Sequence, residues 1–191
     1  MIRGEKTILR AIEPSDVRQL WEWTQDAEIM RLRNFPVVPT SLAQAEQDFE
    51  ESLGQDPSLV RLAITTLDGK LIGETALRNV DYRNGNADFT IAIGDRDYWG
   101  QGYGTDAIRA LMQYAFEQLN LYRITLYVHA FNHRAIRAYE HCGFRHEGCL
   151  RRAQYLDGQR SDVLIMGLLR EDFEEAERQR SHPEKKVMAG R

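Results

Sequence analysis

Tyr98-Trp99-Gly100-Gln101-Gly102-Tyr103-Gly104-Thr105 stands directly ahead of a helix-periodic stretch, residues 106–119, in which Ala107, Ile108, Leu111, Tyr114, Ala115 and Leu119 share one face. Three glycines at alternate positions leave backbone N–H groups uncovered. A helix starting behind them adds its own orphan amides and the positive end of its dipole. The octapeptide is therefore a candidate phosphate cradle between a strand and a helix, with a plain glycine-rich turn as the ordinary alternative. Spacing removes two better-known phosphate loops: no lysine follows as in Gly-x-x-x-x-Gly-Lys-Ser/Thr, and Gly104 falls one residue early for Gly-x-Gly-x-x-Gly.

Upstream of the cradle the pattern is that of antiparallel strands. Residues 60–66 and 71–80 flank Asp68-Gly69, a two-residue hairpin signal, and Asn84-Gly85 turns the chain into residues 87–93. There Phe89, Ile91 and Ile93 alternate with Asp88, Thr90 and Ala92, the period of a half-buried strand. Further back, a strand over 7–11 runs into a helix opened by Pro14, residues 30–39 read as a loop, and a second helix runs from Thr40 or Ser41 to Leu53. Downstream come a strand over 122–130, a short helix over 132–142 closed by Gly143, and strands 144–154 and 160–168 joined at Asp157-Gly158. The order predicts a single α/β (α+β) domain over 1–172, with a mixed, mostly antiparallel sheet flanked by helices. The charged remainder, 173–191, is expected as a frayed helix and tail.

At 191 residues, 42% hydrophobic and 28% charged, the composition is ordinary for a globular domain. The net charge of −4 speaks against a nucleic-acid partner. No window reaches the roughly 18 apolar residues of a membrane span, and no signal-peptide pattern opens the chain, so a cytoplasmic protein without membrane contact is expected. Cys142 and Cys149 are expected as reduced, structural thiols. His129 and His133 have i, i+4 spacing across a strand end, which does not make a metal pair, and no metal is expected.

Behind the strand 122–130 the chain reads Asn132-His133-Arg134-Ala135-Ile136-Arg137-Ala138-Tyr139-Glu140-His141-Cys142-Gly143-Phe144. Together with the glycine loop this resembles the GNAT superfamily of N-acetyltransferases. Their paired signature is a Gln/Arg-x-x-Gly-x-Gly/Ala loop and a later Asn-x-x-Ala-x-x-x-Tyr-x-x-x-Gly-Phe stretch. The second element matches at every fixed position; in the first, Gly102 and Gly104 match and Trp99 stands where Gln or Arg is usual. The resemblance extends over roughly residues 5–172 and is nearest to the branch holding spermidine and ribosomal-protein N-terminal acetyltransferases.

The resemblance implies acetyl-CoA as co-substrate, with Trp99, Gly100, Gln101, Gly102, Tyr103, Gly104 and Thr105 at its pyrophosphate. It also implies two central strands that splay apart after Ile91–Ile93, so that the backbone of Ile91, Ala92 and Ile93 meets the pantetheine arm. Asn132 and Ala135 are implied on the same arm, although Asn132 also reads as a plain helix N-cap. Tyr139 matches the family tyrosine near the CoA sulfur and is the candidate acid for the leaving thiolate; packing in the core is its alternative. A backbone N–H around Ala92 or Ile93 is the candidate for the oxyanion. Asp88 is the candidate base, directly or through water, with an exposed strand aspartate as the alternative. Glu147 and Asp162 fall where the branch often carries acids.

Acetyl transfer to a primary amine, by direct attack on the thioester, is the implied activity. A free amine of pKa about 10 is neutral at about one part in a thousand at pH 7, so its deprotonation must be assisted or pre-equilibrated. The family builds its acceptor site from the first two helices and the final hairpin, here Trp23, Asp26, Glu28, Arg31, Arg33, Phe35, Arg151, Arg152 and Tyr155. Their mixed sign, and the lack of an acid-rich stretch between Met30 and Pro39, lean away from a polyamine towards a peptide or protein N-terminus or another small amine. A polyamine acetyltransferase and a non-catalytic acyl-CoA-binding or regulatory module are the alternatives, and a homodimer is a family-level expectation.

Overall fold

The computed structural model describes residues 1–33, 39–54, 56–156 and 158–181. Its centre is one sheet in the order β1-β2-β3-β4-β5-β6-β8-β7. The strands are β1 (Ile2–Arg3), β2 (Thr7–Ala11), β3 (Val60–Thr66), β4 (Leu71–Asp81), β5 (Asn86–Ile93), β6 (Arg123–His129), β7 (Arg145–Leu156) and β8 (Gln159–Leu169). Every neighbouring pair is antiparallel except β5 and β6. The mixed, mostly antiparallel sheet expected from the sequence is thus the sheet that forms.

Local chemistry sets the helix starts. Pro14 opens α1 (Pro14–Thr24), and Asp16 reaches back to the Glu13 N–H while pairing with Arg10 at 2.6 Å. Asp26 caps α2 (Ala27–Leu32) by accepting the N–H groups of Glu28 and Ile29. This corrects the loop expected over 30–39: its first residues are helical because the Asp26 cap nucleates a short helix, and residues 34–38 lie outside the described residues. Ser41 caps α3 (Leu42–Ser52), as its position predicts. The turn at Asp157-Gly158 includes Asp157, which is also outside them.

The core lies between the sheet and α4 (Tyr103–Glu117). Leu9, Ile64, Ile72, Leu77, Phe89 and Ile124 meet a helix face whose Ala107 and Ala115 let the backbone approach closely. The last helix, α6 (Arg170–Ser181), belongs to this body. Phe173 is buried against Phe116, with ring centroids 5.6 Å apart, and Arg109 binds Glu177 while Arg180 binds Glu5. The boundary expected at 172 therefore cuts a docked helix, whose single aromatic anchor is hidden among charges in the sequence. Residues 182–191 lie outside the described residues.

One feature of the sheet positions the cleft. The parallel strands β5 and β6 pair only at Asn86–Arg123, Ala87–Ile124 and Asp88–Thr125. Beyond this point β5 stays bonded to β4 as far as Ile93, and β6 stays bonded to β8 as far as His129. The sheet opens like a V between them. The opening starts at Phe89, earlier than the point after Ile91–Ile93 expected from the resemblance.

Candidate active site

The V is the floor of a cleft of about 780 Å³ that runs from the N-terminus of α4 to the inner face of β4. At the first end, α4 begins at Tyr103, three residues earlier than its apolar periodicity suggests. Gly102 is its N-cap, with φ of +85°, and Gly100 also has positive φ, conformations that suit glycine. The first intrahelical bond runs from the Asp106 N–H to the Gly102 carbonyl, so the amides of Tyr103, Gly104 and Thr105 precede the ladder. Those amides point out of the helix end, where an anion is favoured.

Two residues that the sequence did not single out complete this end. Asp106 accepts the N–H groups of Glu5, Lys6 and Thr7 and the Thr7 hydroxyl at 2.7–3.0 Å, which pins the β1–β2 turn to α4. The pinned turn delivers the Lys6 Nζ to the Gln101 carbonyl at 2.9 Å, over the Tyr103 ring. A cation thus stands at the glycine loop although the loop itself carries no lysine. Nothing local predicts it, because Lys6 is about a hundred residues away in sequence.

Trp99, the irregular position of the motif, has a defined place. Its indole N–H donates to the Ile93 carbonyl at 2.7 Å, and the Arg134 guanidinium lies 3.9 Å from its ring centroid. The loop is therefore fastened to the end of β5 and to the first turn of α5 (His133–His141). Among the described residues Arg134 makes no ion pair there, and burial, partly opposed by the charge of Glu28, pulls its pKa below the usual arginine value. Asn132 caps α5 through the Ala135 N–H at 3.2 Å and lines the cleft beside Ala135. Among the described residues its side-chain amide N–H groups make no hydrogen bond.

The open edge of β5 is set by strand geometry. Gly94 N–H donates to Ile72, and the Thr90 carbonyl accepts from Thr75, so the peptide groups of Thr90, Ala92 and Gly94 turn towards β4. Successive residues alternate, leaving Phe89, Ile91 and Ile93 to face the gap. The backbone of Ala92, expected at the cofactor and at the oxyanion, is spent on the sheet, although the residue still lines the cleft. The Ile93 carbonyl is taken by Trp99, which leaves its N–H and both groups of Ile91.

Tyr139 lies on α5 with its ring edge-on to Phe89, at 6.2 Å, and tilted on Phe144, at 5.8 Å. Both expected readings meet here: the ring is core, and the residue lines the cleft. Its hydroxyl has no hydrogen-bond partner among the described residues. Burial, with a smaller contribution from Cys142, raises its pKa well above the usual tyrosine range, so the hydroxyl is protonated at neutral pH.

Asp88 is elsewhere. It lies on the paired part of β5, below the opening, accepts from the Asn79 side chain at 2.8 Å, and does not line the cleft. Glu147 is bound by Arg123, and Asp162 accepts the Arg152 N–H, so both are structural. Among the residues expected at the acceptor, Asp26 and Glu28 are both held by Arg96, at 2.5 and 2.7 Å. Arg151, Arg152 and Tyr155 lie on β7 away from the cleft, and Phe35 is outside the described residues. The end of the cleft away from the glycine loop is lined by Ile29 and Leu32 of α2, Arg33 just past its end, Arg61 of β3 and Glu74 of β4. Arg61 grips Glu74 through Nε and Nη2 at 3.0 and 2.7 Å, and Arg33 binds its other oxygen.

Both thiols are free, with Cys142 buried and Cys149 exposed. Among the described residues no helix is long and apolar enough to cross a membrane.

Comparison with known proteins agrees with this geometry. The model of the acetyltransferase (GNAT) domain matches residues 6–145. The SPbeta prophage-derived N-acetyltransferase YokL of Bacillus subtilis is 29% identical over 171 residues, covering 90% of this chain and 94% of its own. Spermidine N(1)-acetyltransferase of Vibrio cholerae is 29% identical over 165 residues, covering 86% of this chain and 94% of its own. The crystal structure of the Vibrio cholerae spermidine N-acetyltransferase in complex with CoA and spermine superposes with a TM-score of 0.81 at 28% identity, over 87% of this chain and 97% of that one. The pairing of a glycine-capped helix with an opened parallel strand pair, and these matches along most of the chain, place the protein in the GNAT acetyltransferase family.

Proposed function

We propose that the protein transfers the acetyl group of acetyl-CoA to a primary amine. The observation that carries this is the opened β5–β6 pair, which puts free backbone of Ile91 and Ile93, the Tyr139 side chain and the first-turn amides of α4 along one cleft. The residues fit the co-substrate: the amides of Tyr103, Gly104 and Thr105 with Lys6 suit a pyrophosphate, and the β5 edge suits an extended arm with two amides. Bound acetyl-CoA supplies the activated acetyl group and a thiolate leaving group.

Each residue then has a task. Asn132 and the Ile91 edge hold the arm in register. An N–H on that edge donates to the carbonyl oxygen as it gains charge. The Tyr139 hydroxyl, protonated at neutral pH, gives its proton to the departing sulfur, and the proton shed by the attacking nitrogen passes through water to restore it. No carboxylate is assigned as base. Asp88 is outside the cleft, and Glu74, although burial pushes its pKa up, is held below the usual range by Arg61 and Arg33. The amine is therefore deprotonated in pre-equilibrium with water.

The test is thiol release from acetyl-CoA against a panel of amines, with the acetylated product identified by mass. Its kcat/KM is expected to rise about tenfold per pH unit between pH 6 and 8, as the neutral amine fraction rises. CoA binding without release for any amine supports the binding-module reading instead.

A further inference from the structure

The acceptor end of the cleft carries an excess of positive charge at the point where a polyamine would need the opposite. Glu74 lies on β4 directly across from Ala92 of β5, one strand away from the opened edge. It is 16% exposed and bound by two guanidiniums, so the Arg33–Glu74–Arg61 triad has a net charge of +1. Two positions along the same face as Ala76, Arg78 also lines the cleft. Arg78 faces Asp88 across the sheet, so the net charge counted here is that of the triad; among the described residues the other nearby carboxylates are engaged elsewhere. Asp26 and Glu28 are held by Arg96, Glu5 is held by Arg180, and Asp106 accepts four donors from the β1–β2 turn.

On the acetyl-transfer reading above, we infer that the acceptor is an amine bearing a carboxylate a few bonds from the reacting nitrogen, of the amino-acid class, and that Arg61 with Arg33 holds that carboxylate. Arg61 spends Nε and Nη2 on Glu74, so Nη1 is not used there, and its side chain is 38% exposed. A guanidinium already fixed by a buried carboxylate is pre-organised, so little freedom is lost when a second anion binds it. A second ammonium placed at the same point meets the net positive charge of the Arg33–Glu74–Arg61 triad and is repelled.

The test compares α-, β- and γ-amino acids with their own carboxamides, and both with spermidine, using thiol release by the full-length protein. Calorimetric titration of the amino acid into the protein–CoA complex gives a second reading that needs no turnover. The free acids are expected to exceed their amides by roughly 10- to 100-fold in kcat/KM, the range of one or two charged hydrogen bonds. Arg61→Gln is expected to bring that ratio within about threefold and to weaken amino-acid binding, while CoA binds as to the wild type. Equal rates for acid and amide, or a preference for spermidine, overturn the inference and leave acetyl transfer standing. Failure of every amine to release thiol, with CoA still binding, overturns acetyl transfer and this inference with it.

Discussion

Replacing Tyr139 by phenylalanine separates the two roles that meet in this residue. The ring packs on Phe89 and Phe144 and is only 8% exposed, whereas the hydroxyl has no partner among the described residues. Removing the oxygen alone therefore breaks no internal hydrogen bond and leaves no cavity. Stability is expected to stay within about 0.5 kcal/mol of the wild type, and Tm within about 2 °C. Tyr139→Ala, by contrast, empties the ring's site and is expected to cost about 3–5 kcal/mol. If the hydroxyl protonates the leaving sulfur, Tyr139→Phe lowers kcat roughly 10²- to 10³-fold, about 3–4 kcal/mol of barrier, with the KM for acetyl-CoA within about threefold. Burial raises the folded pKa above the unfolded value near 10, so this group's contribution to stability is full below pH 10 and is lost as pH rises further. The phenylalanine variant lacks that alkaline loss. Steady-state thiol release and urea unfolding on the same preparation give both readings. A kcat within twofold of wild type, or a raised KM with kcat unchanged, refutes the assignment and leaves Tyr139 as packing.

Three further outcomes follow from the same coordinates. Gly102→Ala forces a side chain onto φ of +85°, which costs about 1–2 kcal/mol and disturbs the α4 cap, so CoA affinity by calorimetry is expected to fall by roughly tenfold. Gly104→Ala puts a methyl 3.6 Å from Ile93 Cγ1, an ordinary contact, and should keep affinity within about threefold; equal loss in both variants sinks the cap argument. Phe173→Ala is expected to lower unfolding free energy by about 3–5 kcal/mol if α6 is part of the body, and by almost nothing if the domain ends at 172. One thiol, Cys149, is expected to alkylate in the native protein and two in denaturant. The buried Cys142 thiol is pushed up to about 12, so its contribution to stability is lost as pH rises from the unfolded value near 9 towards 12. Two fast-reacting thiols in the native state would contradict its burial.

What was legible in the chain was local. The Asn132 cap, the Tyr139 position about two turns along the same short helix, and the glycine cap of α4 are all encoded within windows of about a dozen residues, where a hydrogen bond or a φ value decides the outcome. Errors came where local signals compete or fall silent. Helical periodicity cannot see a first turn made of Tyr103, Gly104 and Thr105, because those residues are not on the apolar face. Six residues of α2 are too few for a period, and only its Asp26 cap gives it away. Alternation along β5 identified its two faces, but not which peptide groups are bonded to β4 and which are open.

The glycine loop and the Asn132–Phe144 stretch carried the resemblance to the family and, through it, the co-substrate, while turn, cap and periodicity signals along the chain fixed the order of elements; each of these depends on residues close together in the chain. Only the tertiary structure decided where β5 and β6 part, that Asp88 lies below that point, and that Lys6 and the Arg33–Glu74–Arg61 triad stand at the two ends of the cleft. The physical reason is separation in sequence. Lys6 and Gln101 are 95 residues apart, and Arg33 and Glu74 are 41 apart, so no local preference encodes either meeting. Their charges acquire meaning only when the fold brings these distant segments to the two ends of one cleft.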